Sequence, residues 1–314
     1  MPVRRRADFS CVLDMEGSIG LIFSCISLVI NIVATIVSSY TLACLIYREW
    51  RLRDINVLLV INTYTVVVLW SGIQVSANIF CILGDTQTYV NVDSIACHAH
   101  CYVYLYLVTW LFSSFILQAY VRMLNIVRSH HDQLHSMGTV SIWILITYVS
   151  SFVLVVPTYF LHVIVYVPTD YQCVVDIRSW KGTLYMFWAF YSIPIGLITG
   201  MYIRVIRFVR QSTLRNQQHR QTITGRDLLM IQRILILLLT LIVLGLPSLI
   251  LWLYSIITGR LYPFTYRLQA LSLATSICTL AFAVALTNPQ VKGFLFQFGQ
   301  RHVGFDLTVH PQRH

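Results

Sequence analysis

The sequence predicts an all-α membrane protein: a seven-transmembrane helix bundle with its amino terminus outside and its carboxyl terminus inside. Three observations support this prediction, namely a low charge content, seven long runs without charge and an uneven distribution of basic residues. Of the 314 residues, 57% are hydrophobic and only 11% are charged, whereas about 25% of the residues of a soluble domain are charged. Lipid must therefore supply much of the surroundings of this chain.

Charge-free runs locate the spans, because a helix needs about 20 apolar residues to cross a bilayer. Strands of a β-barrel are excluded, since these runs are far longer than such strands and do not alternate. The predicted spans lie in a single domain, 1–314, at about 17–47, 55–80, 94–128, 139–165, 182–210, 228–257 and 264–288. A short amphipathic cytoplasmic helix is predicted at about 290–299.

Basic residues set the orientation. Of the 22 Lys and Arg residues, seven, including Arg267 and the Arg4–Arg6 cluster, fall on the amino-terminal side of the predicted bundle, and the others fall on the opposite side. Cytoplasmic loops carry the excess of basic residues, which places the amino terminus outside, although Arg4–Arg6 opposes this assignment. The same distribution explains the net charge of +10 without nucleic acid as a partner.

Polar and proline landmarks recur along the spans. Cys97 and Arg122 stand 25 residues apart in span three, about 37 Å along a helix, so that each reaches one aqueous face. The other landmarks are Asn31 in span one, Trp143 in span four, Pro194 and Tyr202 in span five, Pro247 in span six and Asn288-Pro289 in span seven. With these landmarks the chain resembles the rhodopsin-like, or class A, family of G-protein-coupled receptors, as a divergent member. The resemblance covers all seven spans.

This resemblance implies a function. A member of the family is a multi-pass plasma-membrane receptor that transduces an extracellular ligand signal to a cytoplasmic heterotrimeric G protein; it is not an enzyme and needs no cofactor or metal. The resemblance implies activation roles for Arg122, Tyr202, Pro247 and Asn288-Pro289. It also implies a disulfide between Cys97 and Cys173, in the loop after span four; two free thiols are the alternative.

Several positions depart from the family pattern. They are Val67 for an aspartate in span two, Leu111 for a polar residue in span three, Val121 for the acid before Arg122, Gly245 for the tryptophan before Pro247, and Lys292 for the tyrosine after Asn288-Pro289. A hard cation needs oxygen ligands, so Val67 and Leu111 predict that sodium regulation is lost. The remaining departures imply altered or lost signalling.

Arg122 needs an anion or water near hydrocarbon. Asp227 stands 20 residues before Pro247, where some family members keep an acid that joins span six to span three. The alternative is that Asp227 caps or solvates the start of span six.

The ligand stays open. Tyr104 takes the place of the aspartate of amine receptors, no carboxylate lies in any predicted span, and Phe282 takes the place of the lysine that opsins use for retinal. A monoamine or retinal is thereby excluded, and a peptide and a lipid stay open as alternatives. The expected pocket residues are Tyr104, Val108, Met186, Phe190, Ser248, Trp252 and Cys278. Ordinary interhelical packing would give the same apolar composition.

Two other classes of membrane protein would require residues of a different kind within the spans. A transporter or channel would be favoured by intramembrane acids or broken paired helices. A heptahelical membrane enzyme would need clustered His, Asp, Glu or Ser within the spans. His98 and His100, near the start of span three, could bind a metal or sense pH, but a solvated loop end accounts for them as well.

Overall fold

The computed structural model describes residues 4–52, 55–86, 93–127, 137–176, 179–215 and 245–287, except 248, 252, 256 and 259–263. Side chains are described over a narrower range, and those of 4–17, 48–52, 56, 125–127, 209–215 and 284–287 are excluded. Asp227, Asn288, Pro289, Lys292 and the predicted helix at 290–299 lie outside the described residues.

The described residues are mostly helical. The helices are α1 Arg4–Leu52, α2 Ile55–Asp85, α3 Ile95–Val127, α4 Met137–Phe160, α5 (the consecutive segments Trp180–Met186, Phe187–Ser192 and Ile193–Arg215), α6 Gly245–Ser255 and α7 Thr265–Thr287. Two short strands, β1 Ile164–Val167 and β2 Gln172–Val175, lie between α4 and α5.

Five of the described helices are long and apolar enough to cross a membrane. These membrane-spanning stretches are Ser18–Tyr47, Val57–Asp85, Ile95–Leu124, Met137–Phe160 and Trp180–Phe208. The described part of α6 is a shorter apolar helix. The chain is thus a multi-pass membrane protein.

The two faces of α1 show an inverted polarity. Small and polar residues three or four apart, among them Ser27, Asn31 and Ser38, are buried against the bundle. On the outer face, Ile22 and Ile36 are 56% and 63% exposed. Water would penalise this arrangement, whereas lipid rewards it, because small residues let membrane helices approach closely while apolar side chains face the hydrocarbon.

Helix α3 is the centre of the bundle. It packs against α2, α4 and α5, whereas α1 packs against α2 and α7. Its buried residues Leu107, Leu111 and Phe115 belong to the main apolar core. Trp110 stacks edge-on against Tyr148 of α4, with ring centroids 4.4 Å apart. Aromatic side chains thereby fill the space between α3 and α4.

Helix α5 contains one wide turn. Residues Phe187–Ser192 are π-helical, and Pro194 follows two residues after this segment. Proline has no N–H to donate and its ring would clash with the carbonyl four residues earlier, so a wide turn before it accommodates the ring within a continuous helix. The turn contributes Phe187, Phe190 and Tyr191 to the cavity described below.

The strands form an antiparallel hairpin at one end of the bundle, hereafter the hairpin end. Ile164 pairs with Val175 and Val167 with Gln172. Span four was predicted to continue to 165, and this was wrong: α4 ends at Phe160, and Ile164–Val167 is a strand. The error arises because Val163–Val167 is as free of charge as a membrane segment, yet it is covered by the bundle, where Val163 and Ile164 are buried.

Candidate ligand pocket and its supports

A cavity of about 210 Å³ lies at the hairpin end, between β2 and helices α2, α3, α5, α6 and α7. Its described lining contains no Asp, Glu, Lys or Arg. The lining residues are Gln74 and Ala77 of α2, His100, Cys101, Tyr104, Leu105 and Val108 of α3, Gln172–Val175 of β2, Thr183, Met186, Phe187, Phe190 and Tyr191 of α5, Gly245 and Leu249 of α6, and Tyr266, Gln269, Ala270 and Leu273 of α7.

Four of the expected pocket residues, Tyr104, Val108, Met186 and Phe190, line this cavity. Ser248 and Trp252 lie outside the described residues. The expectation for Cys278 was wrong, because its side chain packs against the main core instead. It follows Leu273 of the lining by five residues, about 7.5 Å farther along the helix axis, and so lies below the cavity floor.

The walls of the cavity differ in polarity. On the α2 and α7 side, Gln74 and Gln269 contribute side-chain amides. Gln74 is only 6% exposed, and among the described residues its backbone carbonyl, not its side-chain amide, is hydrogen-bonded, to Asn78. The α3, α5 and α6 side contributes apolar groups such as Val108, Phe190 and Leu249, together with the polar side chains of His100, Tyr104, Thr183 and Tyr191.

The two histidines of α3 have different surroundings. His100 lines the cavity, and its Nε2 is 2.8 Å from the Ser76 hydroxyl. His98 lies in an exposed pair with Asp93, at 2.8 Å. Asp93, His98 and Cys173 are close enough together to suggest a metal site, but the Cys173 sulfur is bonded to another cysteine and offers no thiolate. Two ligands remain, which supports the interpretation of His98 as a solvated helix end.

A disulfide anchors the hairpin to α3. The sulfurs of Cys97 and Cys173 are 2.06 Å apart and the Cα atoms 5.5 Å apart, within the usual range for a disulfide. The predicted pairing is confirmed. Because Cys173 lies in the middle of β2, this bond places the strand across the mouth of the cavity.

A buried ion cluster anchors the hairpin a second time. The Arg267 guanidinium of α7 donates from both terminal nitrogens to the Asp85 carboxylate of α2 and from Nε to Asp170, at 2.8 Å. Asp170 belongs to the turn between the strands. The side chains are nearly inaccessible, Arg267 at 5% and each carboxylate at 9%.

Additional bonds complete this cluster. Arg267 also donates to the Ser24 hydroxyl of α1 and to the Thr169 carbonyl, and the Cys81 thiol donates to the Asp170 carbonyl. The sequence placed Arg267 on the amino-terminal side of the bundle, within span seven at 264–288, but gave it no partner. A charge can lie inside a helix where opposite charges are brought to it by other elements.

The position of the family's sodium site is apolar here. Val67 and Leu111 are 2% and 1% exposed and pack together with Ala34 and Ile277. Asn31 donates from Nδ2 to the Ser27 carbonyl, 2.9 Å away, within its own helix. The described residues therefore offer no oxygen cage at this position.

At the opposite end of the bundle, Arg122 of α3 lies near Tyr202 of α5. Its positive charge acts on the Tyr202 hydroxyl, which is buried and makes no hydrogen bond within the described part of the chain. Val121 does not replace the missing acid electrostatically, because it packs into an apolar cluster with Leu117 and Val140.

Other predicted landmarks are distributed along the bundle. The Trp143 ring lies 5.5 Å from that of Tyr120. Pro247 lies within α6. Gly245 faces the cavity, where an added Cβ would meet only Tyr191, at 3.9 Å, so the space of the missing tryptophan belongs to the cavity.

A polar network between α2, α3 and α4 was not predicted. Asn62 donates to the Ser114 hydroxyl and accepts from Tyr148, at 2.9 Å. Gln118 donates to the Thr63 hydroxyl, which shares a hydrogen bond with Ser114. Uncharged polar residues leave charge-free runs intact, so charge counting could not find them; four polar side chains in two apolar spans are the signal that could have.

Comparisons with known proteins agree with the architecture. No family model and no curated protein sequence matches the chain. Among solved structures, the crystal structure of squid rhodopsin superimposes with a TM-score of 0.73 over 92% of this chain and 87% of that chain, at 12% sequence identity. The chain is therefore a membrane protein with the fold of squid rhodopsin.

Proposed function

We propose that this chain is a G-protein-coupled receptor of the plasma membrane, with seven transmembrane helices and the hairpin end outside. Ligand binding in the cavity changes the packing of α3, α5 and α6, and the opposite end of the bundle couples to a cytoplasmic heterotrimeric G protein. The observation that supports this most is the combination, on a rhodopsin fold, of a cavity beneath a disulfide-anchored hairpin with Arg122 and Tyr202 at the far end of α3 and α5.

Buried acids would favour a transporter, and Asp85 and Asp170 are buried. Both carboxylates, however, are bonded to Arg267 near the hairpin rather than lying along a path through the bundle. A retinal protein is not favoured either, because α7 has no lysine. The proposed receptor therefore binds a diffusible ligand.

The decisive experiment concerns Arg122. We expect Asp227 to hold it in the inactive receptor, so Asp227→Asn should raise basal second-messenger output about tenfold, and Arg122→Ala should reduce it to that of cells without the receptor. A pair of this kind costs about 3–5 kcal/mol to break one-sidedly. Output is normalised to surface expression, and Asp93→Asn, the same change at an exposed carboxylate of the hairpin end, is the matched control.

The two variants test different parts of the proposal. Unchanged output from Asp227→Asn would make Asp227 a solvated helix start. G-protein coupling would be refuted if neither variant changes second-messenger output. It would also be refuted if this output never exceeds that of cells without the receptor.

A further inference from the structure

We propose that the cavity binds an uncharged small molecule with an apolar body and a carboxamide-like head that pairs with Gln74. This inference deepens the proposed function by assigning the chemical class of the ligand, and it rests on that function only in taking the cavity as the ligand site.

The described lining of the cavity has no strongly charged side chain. No ionisable acid or base of the Asp, Glu, Lys or Arg type faces the described cavity. Arg267, which follows the lining residue Tyr266, is bonded to the carboxylates of Asp85 and Asp170. A charged ligand would lose its hydration without gaining a counter-ion from the described lining, which is far costlier than burying a neutral polar group.

Two glutamines offer side-chain amides to the cavity. Gln74 is 94% buried and lines the cavity, and among the described residues it makes its hydrogen bond through the backbone carbonyl, which accepts from Asn78. Gln269 faces the same space from α7. An amide offers both a donor and an acceptor, and a ligand carboxamide satisfies both at once, whereas a carboxylate only accepts and an ammonium only donates.

The lining and the volume of the cavity limit the orientation and the size of the ligand. Val108, Met186 and Phe190 line the cavity from α3 and α5, so we place the apolar body of the ligand against these side chains and its head at Gln74 and Gln269. A cavity of about 210 Å³ is smaller than the roughly 300–1,000 Å³ typical of sites for drug-sized ligands. A compact molecule fits it better than a folded peptide does.

The test uses three probes of matched shape: 2-naphthamide, 2-naphthoate and 2-naphthylmethylammonium. The thermal unfolding midpoint of the purified full chain in lipid nanodiscs is measured with each probe. We expect the amide to raise the midpoint by about 3 °C when present at tenfold its Kd, and the two ions to raise it by less than about 1 °C.

Variants then assign the preference to its residue. Gln74→Leu should abolish the preference for the amide, and the isosteric Gln74→Glu should transfer it to the ammonium. Gln118→Leu is the matched control: this glutamine of α3 lies outside the cavity lining, its amide bonded to Thr63, so its loss should leave the preference intact. If Gln74→Leu does not fold, Gln269→Leu serves in its place.

Equal stabilisation by the three probes, or stabilisation by none, would overturn the proposal, and so would an unchanged preference in Gln74→Leu. Because the assay contains no G protein, its result is independent of the second-messenger experiment. The proposed ligand class can therefore be refuted while the proposed receptor function is supported. The receptor function can equally be refuted while the ligand class is supported.

Discussion

Replacing Arg267 with Met tests whether the ion cluster holds the hairpin to the bundle. The change keeps an apolar stem of similar length but leaves Asp85 and Asp170, each 9% exposed, without their shared cation. Removing one partner of a buried ion pair destabilises a protein by about 3–5 kcal/mol, because the remaining charge stays buried and uncompensated. For a chain of this size we expect the unfolding midpoint to fall by about 10 °C.

The acidic partners give a graded comparison. Asp85→Asn leaves Arg267 paired with Asp170, so its cost should be well below that of Arg267→Met. The double variant Asp85→Asn with Asp170→Asn isolates the guanidinium and should cost about as much as Arg267→Met. This ordering follows from the balance of charges in the cluster rather than from the number of hydrogen bonds lost.

The assay is thermal unfolding in nanodiscs at one fixed scan rate, because the apparent midpoint of an irreversible transition depends on scan rate. His98→Gln is the control, since it breaks an exposed pair, with side chains 35% and 62% exposed, worth about 0–1 kcal/mol. If Arg267→Met lowers the midpoint no further than His98→Gln does, the cluster does not anchor the hairpin.

Three further predictions concern other parts of the bundle. Cys97→Ser or Cys173→Ser should lower the free energy of unfolding by about 2–5 kcal/mol and reduce surface expression, measured with an extracellular epitope tag. Cys278→Ser is the control. Equal surface expression of all three variants would contradict the role of the disulfide as an anchor. Replacing sodium with potassium should leave the affinity for 2-naphthamide unchanged within twofold, because Val67 and Leu111 offer no oxygen ligands. A larger sodium-specific shift in affinity would show that the chain has a sodium site. Asn62→Leu should lower the free energy of unfolding by about 1–3 kcal/mol, since the Tyr148 hydroxyl loses its acceptor and Ser114 keeps only its bond to Thr63. Exposed Ser141→Ala should leave it unchanged, and equal unfolding midpoints of the two variants would show that the network is dispensable.

The helices were predictable because a bilayer imposes one rule on every span, a minimum length without unpaired charge. The spans predicted from that rule overlap α1, α2, α3 and α5. The rule failed at the end of α4, because the strand Ile164–Val167 is equally free of charge. Protein rather than lipid covers that strand, and only the tertiary structure can show which of the two does so.

The cavity was predictable in part. Tyr104, Val108, Met186 and Phe190 followed from the landmarks of spans three and five, because a regular helix carries a landmark's register to its neighbours. The same counting was wrong for Cys278, which lies deeper along α7 than the cavity reaches. Gln74 and Gln269 were missed, since uncharged amides produce no break in an apolar run.

The ion cluster was unpredictable for a different reason. Arg267 is separated from Asp170 and Asp85 by 97 and 182 residues along the chain, so no local pattern connects them. Each by itself is a normal residue for the edge of a membrane span. Only their convergence makes them a buried cluster, and convergence is a property of the fold.

The disulfide and the ion cluster both connect the hairpin to helices at one end of the molecule. Cys173 fixes β2 to α3, and Asp170, in the turn just before β2, is fixed to α7 and through it to α2. The wall formed by these three helices is therefore tied together above the cavity. The opposite wall, formed by α5 and α6, has no such tie among the described residues, and it contains the π-helical turn and Pro247. Both features interrupt regular helical hydrogen bonding. We therefore expect a ligand held by Gln74 to act on α5 and α6, and α5 also contains Tyr202, which lies near Arg122.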